Sequence, residues 1–362
     1  MLELNEKKIR KGRPLGLPYQ GSKKKISKKI VEIIKQNFGT DKPVYDIFGG
    51  GGAITAECLL NGLEVHYNDL DRTITDMFQR VLATDREFLK TLIVSRDEFF
   101  RIREKENKTV DDNLKLLVNS FGNNRKGYLY SEEMSDVKYN LAVEIIKKHD
   151  TFGEYKKTET YLKEKSIFEG QPGRLGQLEQ LQQLQQLQQL EQLQQLQQSE
   201  RLQCLERPEA TNIDYKAFSN IENSILYLDP PYEGTSGYGG HEHGVKVRNV
   251  LPDVYKKMRQ KLLKMPPGSV IVEDEIEYKL GTSPNNYRRM YVKDLRIQTN
   301  RFDSQQFYDW AYEMSKKNIV LISSYEISDE RFECVYEFKK ARCTFQSGTS
   351  NNKTEKLFMV KK

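Results

Sequence analysis

Hydrophobic positions recur every three to four residues in "SKKKISKKIVEIIKQNF", where Ile26, Ile30, Ile33 and Ile34 form one face; the spacing predicts an amphipathic helix after a turn at "PYQG". The pattern then changes. "KPVYDIFGGGGAITAECLLNG" reads as strand, glycine loop and helix, and "EVHYNDLDRTITDMFQRVL" as strand, polar turn and helix with Asp71 as N-cap. A βαβα opening of this kind predicts a parallel sheet. Residues 85–168 read as helical, broken at the polar stretch "SFGNNRKGYLY". Strand returns over 212–232, where the run Ile225 to Leu228 is a buried strand stopped by Pro230 and Pro231, since proline donates no ladder hydrogen bond. "FDSQQFYDWAYEMSKKNIVLISSYE" reads as helix then buried strand, and "FECVYEFKK" as a late strand.

Residues 175–198, "LGQLEQLQQLQQLQQLEQLQQLQQ", place leucine at every third position. On a helix this puts successive leucines about 300° apart, so the stripe slips around the axis, unlike a heptad seam. The segment reads as a helix-prone spacer without chemistry; a coiled-coil contact is the rival reading.

Composition narrows the class. The chain has 362 residues, 30% charged and 37% hydrophobic, which suits two or three soluble domains. No apolar run reaches the roughly 20 residues of a membrane span, and "MLELNEKKIRKGRPLG" has no signal core. Cys58, Cys204, Cys334 and Cys343 show no paired spacing, as in a reduced, cytoplasmic chain. The net charge is +6, but residues 1–35 carry +8, 241–300 carry +5 and 339–362 carry +6, against −13 on the remainder. Three basic segments on an acidic body resemble a polyanion-binding surface; on charge alone solvated faces are the simpler reading, and the motifs below turn the balance toward a polyanion.

The candidate chemistry gathers at strand ends. "YDIFGGGGAIT" fits Asp-x-Phe-x-Gly-x-Gly through Asp46, Phe48, Gly50 and Gly52. The dinucleotide pattern GxGxxG fails, because Thr55 stands where its third glycine belongs. An acid at the Asp46 position suits a cationic amine. Asp69 closes the second strand, where an acid takes ribose hydroxyls; the alternative is an acid at a helix start. Asp214 in "NIDYKAF" is a third candidate, with a turn-forming aspartate as its alternative. In "LDPPYEGTSGY" a carboxylate, Asp229, and a ring, Tyr232, are held by two prolines at a strand's carboxyl end, the edge where open α/β sheets bind ligands. His241 and His243 lack a third ligand, so no metal site is predicted.

In their order, "PYQGSK", "DIFGGGG", "YNDLD" and "LDPPY" resemble the Dam-type DNA adenine-N6 methyltransferases of bacteria and phages; "SFGNNRKGYLY", "FDSQQFYDW" and "ISSYEISDERFECVYE" resemble the phage-type branch. The likeness covers 14–165, 212–240 and 301–362. It implies an α/β fold: a Rossmann-like S-adenosylmethionine-dependent methyltransferase sheet with a helical target-recognition insertion and a second small helical insertion. It implies S-adenosylmethionine as methyl donor, with Tyr19, Gly21 and Lys23 closing the donor site. Asp46, Phe48, Gly50 and Gly52 would hold the methionine part, Asp69 the ribose, and Asp214 the donor's adenine ring. Asp229, Pro230, Pro231 and Tyr232 would form the pocket for a target adenine flipped out of duplex DNA. There Asp229 and the Pro230 carbonyl accept the N6 hydrogens and Tyr232 stacks on the base. Asp229 also borders the donor.

The family reads DNA sequence with the region of "FGNNRKGYLY". Asn bonds adenine and Arg bonds guanine, so Asn123, Asn124, Arg125 and Lys126 suit base or phosphate contact. The resulting division is a donor-binding half at 1–90 and a recognition insertion at 91–211 that includes the Gln/Leu tract. The DPPY half follows at 212–240, a basic insertion at 241–300, and terminal strands with a basic tail at 301–362. In the basic insertion "LPDVYKKMRQKLLKM" reads as a helix, and "VEDEIEYKLGTSPNNYRRMYVKDLR" resembles a helix-turn-helix presenting Asn285, Asn286, Arg288 and Arg289. The expected partner is double-stranded DNA, with no membrane and a monomer or weak dimer. GATC is the family's common target, and restriction–modification is one setting. Two rivals stand: an amino methyltransferase acting on cytosine N4 or RNA, and a DNA-binding regulator on a degenerate methyltransferase fold.

Overall fold

The computed structural model describes residues 1–19, 21–148, 210–232, 252–266, 268–273, 276–281, 290–294, 302–338 and 354–361, with isolated positions between 159 and 194. The strands are β1 (Val44–Asp46), β2 (Val65–Tyr67), β3 (Ile225–Leu228), β4 (Val270–Glu273), β5 (Ile276–Leu280), β6 (Met290–Asp294), β7 (Ile319–Ser324), β8 (Phe332–Glu337) and β9 (Lys356–Val360). The helices are α1 (Lys24–Phe38), α2 (Ala53–Leu60), α3 (Arg72–Leu82), α4 (Arg86–Lys90), α5 (Arg96–Glu104), α6 (Val110–Val118), α7 (Glu132–Lys148), α8 (Pro252–Leu262) and α9 (Ser304–Ser315). The chain divides into two compact units, Met1–Pro230 with Tyr308–Lys362, and Pro231–Phe307.

The first unit is built on a six-stranded sheet in the order β2-β1-β3-β7-β9-β8. β2, β1, β3 and β7 are parallel, and β9 runs antiparallel between β7 and β8. One register row joins Val65, Val44, Ile225 and Ile319. All four residues of β3 are buried, as expected of a parallel strand covered on both faces. The neighbours of β1 in space are β2 on one side and β3 on the other, so the strand order reverses at β1. That reversal opens a crevice at the strands' carboxyl ends.

The helices follow the periodicity. α1 buries Ile26, Ile30, Ile33 and Ile34 as the spacing predicts, and ends at Gly39 with φ +84°. It packs on α2, whose eight residues are all buried. Asp71 caps α3 by accepting from the Thr73 amide at 2.9 Å. The basic N-terminal segment is tied down by Arg10, which donates to both carboxylate oxygens of the buried Glu57 at 2.8 Å.

Three expectations need correction. Residues 212–232 are not continuous strand: β3 supplies only Ile225–Leu228, preceded by a 3-10 turn at Tyr215–Phe218. Within 339–362, read as a basic tail, lies β9; "KLFMV" buries Leu357 and Phe358 and pairs with both β7 and β8. The Gln/Leu tract is more than a spacer, because its described residues Leu190 and Leu193 are buried in the main hydrophobic cluster; most of the tract lies outside the described residues.

The second unit overturns the helix-turn-helix. α8 forms as expected, but "VIVE", "IEYKL" and "MYVKD" are the antiparallel strands β4, β5 and β6. The second insertion is therefore a helix with a small sheet, not a helical pair. Alternation decides the matter: Ile271, Tyr278 and Val292 share one register row and join Met258 and Leu262 of α8 in one cluster. The intervening Val270 and Val272 stay exposed. Asn285, Asn286, Arg288 and Arg289, like His241 and His243, lie outside the described residues.

Candidate active site

β1 delivers Asp46 to the crevice. The side chain is 1% exposed, and its Oδ2 accepts from the Thr55 amide at 3.1 Å and the Thr55 hydroxyl at 2.7 Å. Its Oδ1 is buried without a hydrogen-bond partner among the described residues. Burial pushes the Asp46 carboxyl up to about 7; the Thr55 hydrogen bonds oppose this, and the charges of Asp229 and Asp69 add to it. A buried acid with one acceptor atom open is suited to a cation.

The glycine loop wraps this acid. Gly50 donates its amide to Asp69 Oδ2 at 2.8 Å, and its carbonyl accepts from the Tyr67 hydroxyl at 2.7 Å. Gly52 stands at φ +70°, and a Cβ there would lie 2.4 Å from the Phe78 ring. At Gly49 a Cβ would lie 2.4 Å from the Tyr67 ring. Tyr19 covers the loop's other side, 3.1 Å from where a Cβ on Gly50 would sit. Burial and the charges of Asp69 and Asp71 raise the Tyr19 hydroxyl above its ordinary value, so it is a neutral donor at physiological pH. Gly21 follows, exposed, at φ +81°.

Asp69 lies two residues beyond β2. Its oxygens accept from the Gly50 and Asp71 amides, both at 2.8 Å, and each oxygen keeps a second lone pair. Burial raises its pKa against the pull of these two amides. The segment carrying Asp214 is laced to the same edge: the Asn68 amide group bonds both Ile213 N and O at 3.1 Å, and Asn212 donates to the Asp69 carbonyl at 2.9 Å. Asp214 itself is exposed and caps the 3-10 turn through the Lys216 amide at 3.0 Å, the turn-forming alternative. That turn sets Tyr215 against Phe48, ring centroids 5.9 Å apart, and against Trp310 at 5.0 Å.

Asp229 follows β3, whose Tyr227 pairs with Asp46 in register. Its Oδ2 lies 2.7 Å from Lys23 Nζ, and the same ammonium lies 3.8 Å from Glu355 Oε1. Glu355 precedes β9 and accepts from the Ser323 hydroxyl of β7 at 2.8 Å. Burial drives the Lys23 pKa down, but the charges of Asp229 and Glu355 outweigh it and leave the value above that of an ordinary lysine. Lys23 is therefore charged, and it pairs with the acid at the end of β3. Pro230 is buried; Pro231 and Tyr232 begin the second compact unit and are half-buried.

The stretch from Ser120 to Tyr128 is a tight turn. Asn123 and Arg125 adopt positive φ of 55° and 60°. The Ser120 hydroxyl accepts from the Arg125 amide at 2.9 Å, and Asn124 Oδ1 accepts from the Lys126 amide at 2.8 Å. Asn123 donates to the Leu117 carbonyl at 3.2 Å. Both asparagines thus build the turn, while Arg125 is close enough for its charge to act on Tyr19. Among the described residues no cluster of three or more metal-ligating side chains exists, and no helix is long and apolar enough to cross a membrane.

Residues 19–266 match the family described as D12 class N6 adenine-specific DNA methyltransferase. The chain belongs to this family. No curated protein matches it. The methyltransferase thus modifies adenine N6 in DNA, and its mostly parallel sheet is the fold of that class. Several residues that shape the crevice of the methyltransferase carry little signal in the sequence. Thr55 stands where a dinucleotide fold has its third glycine, yet it orients Asp46. Asn68 and Asn212 were legible as asparagines beside acids in "YND" and "TNID". Glu355, the sole acid among 339–362, was masked by the surrounding positive charge.

Proposed function

We propose that the methyltransferase binds S-adenosylmethionine in the β1–β2 part of the crevice and a flipped-out adenine of duplex DNA beside Asp229. The supporting observation is the Asp46 carboxylate: buried, charge-capable and with Oδ1 open, it matches a cationic α-amine, a group that dinucleotides lack. Asp69 takes the ribose hydroxyls on its remaining lone pairs, and Tyr19 and Phe48 flank the donor. When bound, the donor supplies a methyl carbon on a sulfonium, which the amine lone pair takes as the carbon–sulfur bond breaks to leave a neutral thioether.

The chain's own residues prepare the amine. Adenine N6 is a weak nucleophile because its lone pair is delocalised into the ring. Asp229 and the Pro230 carbonyl accept its two hydrogens, which favours a pyramidal nitrogen with a localised lone pair. The prolines fix these acceptors in advance, so little reorganisation remains. A base cannot reach such a site from inside a duplex, so it is extruded at a cost of a few kcal/mol. Stacking of the extruded base on an aromatic ring recovers about 1–3 kcal/mol. Arg125 and Lys126 contact the DNA from the recognition loop.

The deciding experiment incubates the full chain with donor labelled in the methyl group and unmethylated genomic DNA, followed by mass analysis of the nucleosides. Labelled N6-methyladenine is expected. Label on cytosine N4, on RNA alone or on nothing would reject the reading.

A further inference from the structure

Lys23 sits between two carboxylates, although one is enough to neutralise it. Asp229 Oδ2 is 2.7 Å away and Glu355 Oε1 is 3.8 Å away. The three side chains come from three distant places: the turn before α1, the end of β3 and the start of β9. Glu355 is 6% exposed. A carboxylate withdrawn from water needs partners, and here they are the Lys23 ammonium and the Ser323 hydroxyl at 2.8 Å. Pairing of β7 with β9 demands no acid at this position, since the ladder is made by backbone groups of Ser323, Ser324, Lys356 and Leu357. The second acid has a different effect. It adds a second negative charge beside the Lys23–Asp229 pair, and it draws on the same ammonium.

We infer that Glu355 is a positioning residue of the acceptor site: by sharing the Lys23 ammonium it fixes the ion pair and preserves the negative character of Asp229 toward the target amine. This rests on the reading that Asp229 receives the adenine N6 hydrogens. Charge explains why the arrangement matters. The nitrogen gains positive charge as the new bond forms and keeps it until it sheds a proton to water. An Asp229 fully neutralised by lysine would stabilise that charge poorly; one whose counter-ion is divided with Glu355 stabilises it better. Ser323 prevents Glu355 from swinging away, and Tyr325, a further titratable group that acts on Lys23, lies just beyond β7.

The test uses the full chain, labelled donor and unmethylated genomic DNA under single-turnover conditions. Glu355→Gln keeps shape and the Ser323 contact and leaves a balanced Lys23–Asp229 pair, so it folds. Its methyl-transfer rate should fall roughly 10- to 100-fold, while the donor and DNA dissociation constants move less than about twofold. Glu355→Asp, which keeps the charge, should recover part of the rate. If the effect runs through Lys23, adding Glu355→Gln to Lys23→Met should change the rate by less than about twofold. A wild-type rate in Glu355→Gln overturns the inference. So does an undiminished loss in the Lys23→Met background, or a loss that follows weakened donor binding or a lowered melting temperature. Should the unmodified chain form no N6-methyladenine, it is the acceptor-site reading that fails; activity in the unmodified chain with no effect at 355 removes only the role of Glu355.

Discussion

Lys23 Nζ lies 2.7 Å from Asp229 Oδ2, joining the turn before α1 to the end of β3 across the crevice. The contact brings a buried cation to the acid proposed to receive the target amine. Asp229→Ala removes a preorganised acceptor and breaks none of the hydrogen bonds that hold Asp46 and Asp69. We expect methyl transfer to drop by at least about 100-fold, with donor affinity within a few-fold of the unmodified chain. Single-turnover transfer and calorimetric donor binding check this. Near-normal transfer would remove the proposed chemistry.

Asp46 carries a pH dependence whose sign is fixed by its pKa, pushed up to about 7 by burial. Without donor, the folded state holds a proton that the unfolded chain has already released. Between the ordinary carboxylate range and about pH 7, stability therefore rises as pH falls, and this contribution is lost as pH rises through 7. Donor binding runs the other way. A cationic amine needs the ionised acid, so affinity should weaken by up to about tenfold per unit below pH 7. Asp46→Asn should bind weakly at every pH and flatten both curves. Melting and calorimetry from mildly acidic to neutral pH check the two slopes; a donor affinity that ignores pH in the unmodified chain would dissociate Asp46 from the amine.

The parallel sheet was legible because its signals are local: apolar runs ending in acids or prolines, and isoleucines at helical spacing in α1. Acids at strand ends were legible for the same reason. What was not legible depends on contacts remote in sequence. Thr55 becomes significant only when α2 brings it onto Asp46, and Glu355 only when β9 inserts between β7 and β8. The β4–β6 sheet was misread because "VEDEIEYKL" is rich in Glu and Lys. Those residues favour helix locally, and cross-strand burial of Tyr278 between Ile271 and Val292 overrides them. Asn123 and Asn124 also supply hydrogen bonds to the turn, a duty that side-chain type alone does not reveal.

Two glycines with positive φ separate backbone strain from crowding. Gly52 has φ +70° and a Phe78 ring atom 2.4 Å from a built Cβ; Gly62 has φ +73° and open space around it. Gly62→Ala should cost about 1 kcal/mol, the left-handed conformation alone. Gly52→Ala must also displace a buried ring and should cost about 2–4 kcal/mol, with loss of donor binding because the loop carries the Gly50 amide that holds Asp69. Urea unfolding of both variants measures the difference; equal midpoints would show that the ring yields freely.

Asn124 and Lys126 divide the recognition loop between architecture and contact. The Lys126 side chain is exposed, whereas Asn124 Oδ1 accepts from the Lys126 amide at 2.8 Å. Lys126→Ala should leave the fold unchanged, weaken DNA binding on all sequences alike, and reduce the slope of log affinity against log salt by about 1, the signature of one phosphate contact. Asn124→Ala releases the turn that holds Asn123 and Arg125 at positive φ. It should therefore lower the preference for target over non-target DNA while changing the salt slope little. Fluorescence anisotropy over a salt series on target and random duplexes separates the two outcomes. An unaltered slope in Lys126→Ala would place its ammonium off the DNA backbone, and an unaltered preference in Asn124→Ala would show that the turn does not orient a base reader.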